Sequence, residues 1–399
     1  MSELFIALWQ VQPLKFYPIS MCIERLKIVS LISSDGMPLS SRLSWTGKID
    51  DYPMENYPDY EPGKPPRTEK LRKLDYAEEM PKIWGQNWGE TGIGRLREVA
   101  LVKPTEHELN PLFVNHPEYF LMISTLRTGK KPDINFMIEQ VEDYGKLLHE
   151  NGVKVHWLQY PDVMGAYGPL RKLFVAGNLG LVVRGGAILF RFGQASFLRG
   201  TEFYAQQLLA QINCPIMFRP TGKAILEMAW PFAAENVLLG SYGIACNQEA
   251  IDQIRPILAA SGIELIMGNS NTIADTYSAG GEFHLDGVLQ VVDSGVGLMY
   301  PNQLDYSLYV WLKEHNFRLV EVSTQEHLAF CPENGMILDA GKVIQPAGAK
   351  ETNKKLRDQG VDVIEMDTSG IGQMGFHGIR CITLPLVRDP GPTLEEIKK

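Results

Sequence analysis

Apolar residues recur at helical spacing in five stretches, 133–151 (DINFMIEQVEDYGKLLHEN), 198–213 (LRGTEFYAQQLLAQIN), 248–261 (QEAIDQIRPILAAS), 304–316 (LDYSLYVWLKEHN) and 350–360 (KETNKKLRDQG). The i, i+3, i+4 pattern predicts five amphipathic helices. A short alternating run follows each one: VKVHWLQ, PIMFR, IELIMG, RLVEVS and VDVIEMD. Alternation of apolar with polar side chains predicts half-buried strands. Each strand leads into a loop and then further β-like runs: LGLVVRGGAILFRF, NVLLGSYGIAC, HLDGVLQVVDSGVGLMY, GMILDAGKVIQP and IRCITLPLV. The unit of about 45–60 residues repeats in pattern rather than in letters. Five α/β units of this size cannot bury their apolar faces singly, which predicts one domain closed about a common axis. The post-strand loops 161–178, 220–232, 269–282, 324–333 and 368–378 then meet at one end.

Residues 1–90 lack a sustained period and mix Pro, Tyr and charge in 54–81 (MENYPDYEPGKPPRTEKLRKLDYAEEMP). They read as an N-terminal extension that wraps or links, ahead of a single catalytic domain at 91–399. The first 30 residues are apolar enough to pack on the main body or on a second subunit. A homodimer is the general expectation for a soluble enzyme.

Charge narrows the partners. The 38 Lys and Arg stand against 47 Asp and Glu, a net −9, so no basic surface is expected to neutralise nucleic acid or an anionic membrane. A small-molecule substrate is the expected partner. No run of 18 apolar residues occurs, and the start lacks the order of a secretory signal, so a cytoplasmic location is expected. Five scattered cysteines without a CxxC pair are expected to be free thiols rather than disulfides or a zinc cage.

Two loop segments carry the chemistry: GGEFHLDG, with His284 and Asp286, and GFHGIRC, ending at Cys381. A thiolate can attack an electrophilic carbon while an imidazole moves the protons. On a strand, Asp286 faces the same side as His284 and either orients the imidazole or binds a cationic substrate. Each has a plainer reading. Cys381 at the head of an apolar run also serves as core filling. His-x-Asp also occurs in metal sites, but no third ligand has supporting spacing, so neither metal nor cofactor is expected. Cys331, before Pro332, reads as a small apolar residue. His377 touches substrate or caps a turn, while Cys214 and Cys246 fall in core strands. ETGIGRLREV lacks the Gly-Lys-Ser/Thr ending of a phosphate loop.

Over residues 88–389 the chain resembles the guanidino-group-modifying superfamily of arginine:glycine amidinotransferase, arginine deiminase and the dimethylarginine hydrolases. The resemblance rests on GETGIGRLREVALVKP, RGGAILFRF, the FHLDG block, ENGMILDAGKVIQPAG and GIRCITLPLVRD, in that order. It implies an α/β pentein fold, a five-bladed propeller with pseudo-fivefold repeats. It also implies a covalent mechanism in which Cys381 attacks the central carbon and His284 acts as acid and base, with Asp286 binding substrate.

Two departures bear on the substrate. Where the family carries an Arg-Asp pair, this chain has Gly177 and Asn178; where it carries Glu-Gly-Gly-Asp, this chain has Glu227, Met228, Ala229 and Trp230. The carboxylates that grip a guanidinium are reduced to Asp286 and Glu227, and Trp230 adds a stacking wall. Substrate-binding positions are therefore expected at Asp286, Asn178, Glu227, Trp230 and His377. The leading expectation is a cysteine hydrolase acting on the sp2 carbon of a small neutral or weakly basic compound, including ring opening of a cyclic diketone, imide or amide. The alternatives are an amidinotransferase or arginine-type dihydrolase, with lost carboxylates replaced by Glu227, Asp275 or Glu282, and a non-catalytic pentein binding protein.

Overall fold

The computed structural model describes residues 48, 62–64, 74–102, 133–159, 177, 179–193, 200–270, 284–372 and 378–398. Asn178, Asp275, Glu282, His377 and nearly all of the first post-strand loop lie outside them, as does most of the N-terminal extension. The chain divides into a first unit, Met1–Asp75 with Lys82–Gly85, and a second, Tyr76–Pro81 with Gln86–Lys399. Among the described residues of the first, Pro62–Gly63 form a turn. The second contains the β-structure.

Among the described residues fifteen strands follow in chain order. They are β1 (Leu96–Val102), β2 (Lys154–Leu158), β3 (Gly180–Val183), β4 (Gly186–Leu189), β5 (Ile216–Phe218), β6 (Phe232–Ala234), β7 (Val237–Tyr242) and β8 (Glu264–Asn269). The remainder are β9 (Leu289–Asp293), β10 (Val296–Met299), β11 (Arg318–Glu321), β12 (Met336–Asp339), β13 (Lys342–Pro346), β14 (Asp362–Met366) and β15 (Leu384–Arg388). They form five three-stranded sheets: β15-β1-β2, β3-β4-β5, β6-β7-β8, β9-β10-β11 and β12-β13-β14. In every sheet the central strand pairs antiparallel on one side and parallel on the other. The last strand of the chain thus completes the first sheet.

A parallel pair needs a crossover, and a helix supplies each. These are α1 (Ile134–Glu150), α2 (Thr201–Ala210), α3 (Gln248–Ala260), α4 (Tyr306–Glu314) and, after the additional α5 (Thr324–Phe330), α6 (Lys350–Asp358). Side-chain oxygens of Asp133, Asn247 and Asp305 accept from the first-turn amides of α1, α3 and α4, the usual relief for unpaired N–H groups. In α3 the core face is Ala250, Ile251, Ile254 and Leu258, the spacing of an apolar stripe.

The five crossover helices stop in the same way. Gly152, Asn213, Gly262, Asn316 and Gly360 all have positive φ, from 59° to 89°. The next residues, Val153, Cys214, Ile263, Phe317 and Val361, donate their amides to the carbonyls of Leu148, Leu209, Leu258, Leu312 and Leu356. This is the Schellman ending, with Gly or Asn in the left-handed position and an apolar pair beside it. At these five helix ends the letters also repeat, as Leu-x3-Gly/Asn-apolar.

Neighbouring sheets pack through a shared apolar core that includes the wholly buried strands Gly180–Val183 and Gly186–Leu189. β15 lies against β3, β6 against β9, β9 against β13 and β1 against β12. A bridge between Arg191 and Leu226 joins the second sheet's unit to the third. Among the described residues no helix is long and apolar enough to cross a membrane.

Local differences from the sequence expectation have physical causes. Residues 324–333, expected as a loop, form α5 because Ser323 accepts the Glu326 amide as an N-cap; Cys331 (φ 43°) then ends the helix and starts a 3-10 turn, Pro332–Asn334. His284 and Asp286 do not share a strand: His284 is extended and Leu285–Gly287 form a 3-10 turn. Cys381 sits in the turn before β15 rather than on it.

Candidate active site

Hydrogen bonds link one loop to the next at the end of the molecule that carries these turns. The Gly193 amide donates to Glu227 Oε1 at 3.1 Å, and Glu227 Oε2 lies 2.8 Å from His284 Nε2. The Asp286 amide donates to the Ala229 carbonyl. Asn334 then bridges two turns: its Nδ2 donates to the Asp286 carbonyl at 3.3 Å and its Oδ1 accepts from the Cys381 amide at 3.0 Å. Finally the Gly177 amide donates to the Cys381 carbonyl at 3.1 Å. Side-chain and backbone hydrogen bonds thus tie together the segments that carry the candidate nucleophile, imidazole and carboxylates.

Glycine is required at Gly177: a Cβ there would stand 2.5 Å from the Cys381 carbonyl oxygen and 2.9 Å from that of Arg380. Contacts this close force a neighbour to move, and here both neighbours are backbone. The Gly noted in the sequence as a departure from an Arg-Asp pair is what lets the first-loop backbone approach the Cys381 turn.

Glu227 was expected among substrate-binding residues, but both its oxygens are engaged, one by His284 and one by Gly193. It is fully buried, whereas the His284 side chain is 12% exposed. A buried carboxylate on one imidazole nitrogen fixes the ring. Cys381 is partly exposed, unlike buried Cys214, Cys246 and Cys331. Burial pushes the Cys214 and Cys246 thiols up to about 12, which keeps them protonated and inert.

Trp230 and Asp286 are both buried and line one side of a cavity of about 40 Å³, shared with Glu90, Arg380 and Arg388. That space suits about one water. Arg380, next to Cys381 in sequence, spans 3.4 Å to both oxygens of Glu90 and donates to the Thr383 carbonyl. Burial raises the Glu90 carboxyl to about 7 against the opposing pull of Arg380 and Arg388. Arg388 is pulled down to about 10 by its own burial. These charges stabilise the turn that presents Cys381. Sequence reasoning missed Glu90 and Arg380, because each acts through a partner distant in the chain, whereas Asn334 was singled out in the ENGMILDAGKVIQPAG block.

Metal-type donors meet elsewhere. Among the described residues, one group of three, His327, Cys331 and Glu333, brings its ligand atoms within 4.8 Å of one another. The spacing His-x3-Cys-x-Glu was its sequence signal.

Comparison with known proteins agrees with this architecture. The arginine deiminase family model matches residues 300–388, the part that contains Asn334 and Cys381. A 2-nitroimidazole nitrohydrolase from Mycobacterium sp. (strain JS330) is 30% identical over 343 residues, 82% of this chain and 89% of that protein. Among solved structures, a dimethylarginine dimethylaminohydrolase from Pseudomonas aeruginosa superposes with a TM-score of 0.55 at 20% identity, covering 73% of this chain and 99% of that one. An amidinotransferase of the saxitoxin pathway from Microseira wollei gives 0.52 at 13% identity, covering 77% and 99%. The structural likeness carries the fold, an α/β pentein.

Proposed function

Because this chain belongs to the guanidino-group-modifying superfamily of pentein enzymes, we propose that it is a cysteine-dependent hydrolase of a neutral, nitrogen-flanked sp2 carbon, with a 2-nitroimidazole as the model substrate. The observation that carries this reading is the Cys381 turn tied through Asn334 to the His284–Asp286 segment. The contacts β15–β3, β6–β9, β9–β13 and β1–β12, with the Arg191–Leu226 bridge between the second and third units, support a five-bladed propeller with pseudo-fivefold repeats, in which the loops would meet at one end.

The chemistry connects the two substrate classes. The central carbon of a guanidinium is bonded to three nitrogens. C2 of a 2-nitroimidazole is also bonded to three, two in the ring and one in the nitro group, without the cation. Replacing an acidic position by Trp230 removes charge that a neutral ring does not need and supplies an apolar surface. The relative's printed activity, nitro hydrolysis of a 2-nitroimidazole, fits that change.

In the proposed sequence the Cys381 thiolate adds to C2 and nitrite departs, leaving an imidazolyl thioether. His284, oriented by Glu227, takes a proton from water as the water oxygen adds to the same carbon. The C–S bond then breaks, the thiolate is regenerated, and the hydroxyl-bearing ring leaves as its keto tautomer. One water is consumed, and nitrite and a proton are released. Asp286 positions the ring through a nitrogen-bound hydrogen.

Nitrite release from 2-nitroimidazole, measured beside ammonia release from arginine and dimethylamine release from dimethylarginine, tests the reading. Turnover of the azole that disappears in Cys381→Ala is the expected result. Faster turnover of arginine, or transfer of an amidino group to an added amine, would replace it with the dihydrolase or amidinotransferase reading.

A further inference from the structure

We propose that His327, Cys331 and Glu333 form a buried binding site for a zinc-type divalent metal, separate from the Cys381 site. The three donors are an imidazole, a thiol and a carboxylate, the side-chain types that zinc accepts together. Their relative exposures are 2%, 1% and 0%. Their ligand atoms all lie within 4.8 Å of one another, close enough for small side-chain shifts to bring them onto one ion.

Local structure explains the convergence. His327 and Cys331 are four residues apart at the end of α5, so they lie one turn apart on one side. Cys331 takes the left-handed conformation that stops α5, and the 3-10 turn that follows returns Glu333 toward His327. His327 Nδ1 lies 3.1 Å from Glu333 Oε1, and the ring stacks on Tyr300 with centroids 3.8 Å apart and planes 8° apart. Stacking fixes the ring plane, so the donor is oriented before any ion arrives.

Charge balance favours a divalent ion. Thiolate, carboxylate and neutral imidazole together carry −2, and one M2+ makes the sealed cluster neutral, as a low-dielectric interior requires. On binding, Cys331 releases its proton to solvent and its sulfur lone pair bonds the metal. No oxidant or reductant takes part.

The site also has a consequence for the loops around it. Cys331 Sγ stands 3.6 Å from the carbonyl of Gly287, which follows Asp286. Asn334, which holds the Cys381 amide, belongs to the same 3-10 turn as Glu333. A metal here fixes the turn carrying Asn334, while the thiol hydrogen bond from Cys331 to the Gly287 carbonyl is given up on binding. Its role is structural, because donors exposed by 2% or less leave substrate no path to the ion.

The test uses the full-length Cys381→Ala protein, so that the partly exposed thiol contributes no ligand. After chelation and dialysis, Co2+ is titrated and followed by absorption. About one equivalent is expected, with a thiolate-to-cobalt charge-transfer band and the strong visible bands of tetrahedral coordination. Cys331→Ser should remove the charge-transfer band, and Glu333→Gln should weaken Zn2+ binding tenfold or more in competition with a chromophoric chelator. Circular dichroism on each variant establishes that it is folded. Absence of Co2+ binding by the Cys381→Ala protein overturns the proposal, as does binding without a thiolate band. A band that survives in folded Cys331→Ser assigns the metal to another cysteine and also overturns it. If Cys331→Ser does not fold, the Co2+ spectrum of the Cys381→Ala protein and the Glu333→Gln competition decide.

Discussion

Two regions of this protein bring together the same three residue types, yet differ in access and in backbone setting. In one, Glu227 is buried against a partly exposed His284, and Cys381 sits in a turn held by Asn334. In the other, His327, Cys331 and Glu333 are all sealed. A nucleophile needs a substrate path; the sealed trio has none, but its donors suit an ion. Access and the hydrogen bonds of the surrounding turns, more than residue type, separate a reacting site from a binding one.

The comparison is sharpest at the sulfurs. Cys381→Ala should reduce turnover by about three orders of magnitude or more, as loss of a covalent nucleophile does. Cys331→Ala should leave kcat within about tenfold while lowering thermal stability, because that sulfur touches no reacting atom. Equal losses of kcat in the two variants would erase the distinction. Steady-state kinetics and a melting curve on both proteins provide the check.

Glu227→Gln comes next. The amide can still hydrogen-bond His284 but cannot stabilise the imidazolium, so kcat should fall by about 10²- to 10⁴-fold with the substrate KM little changed. A KM effect without a kcat effect would return Glu227 to the substrate-binding role read from the sequence.

Asn334→Ala removes two hydrogen bonds that connect the regions, each worth about 1 kcal/mol net. Roughly tenfold lower kcat and a melting point a few degrees lower are expected. Unchanged kinetics would mean that the Cys381 turn holds its shape without the bridge.

The smallest effect concerns pH. The Glu90 carboxyl is raised by burial from its ordinary value near 4.5 to about 7. A raised acid binds more protons in the folded state, so the stability it contributes is present below about pH 4.5 and is lost as pH rises through about 7. Glu90→Gln should therefore flatten the decline of the melting temperature between pH 5 and 7, in about that window. An identical slope in the variant would assign the decline to other groups.

The helices, strands and fivefold order were legible because each unit carries its own apolar period and its own ending. The Leu-x3-Gly/Asn-apolar repeat was visible in the letters yet hidden among unlike residues, and the Schellman hydrogen bonds reveal it. Cys381, His284 and Asp286 stood out because thiol, imidazole and carboxylate are conspicuous in glycine-rich loops. Arg380 did not, since a guanidinium that supports a turn looks like any surface residue until its partner 290 positions away is known. The strand assumed for His284–Asp286 was a local misreading: a 3-10 turn has no two-residue alternation to announce it.

The central claim is that Cys381 forms a bond to the carbon that loses its leaving group. Its most direct test is rapid acid quench of the His284→Ala protein with 2-nitroimidazole, followed by intact-mass and peptide mass spectrometry with nitrite assayed in parallel. Slowed hydrolysis should let the thioether accumulate, giving an imidazolyl group on the Cys381 peptide and nitrite in equal amount. Nitrite released with no adduct, or an adduct on any other residue, would contradict the account.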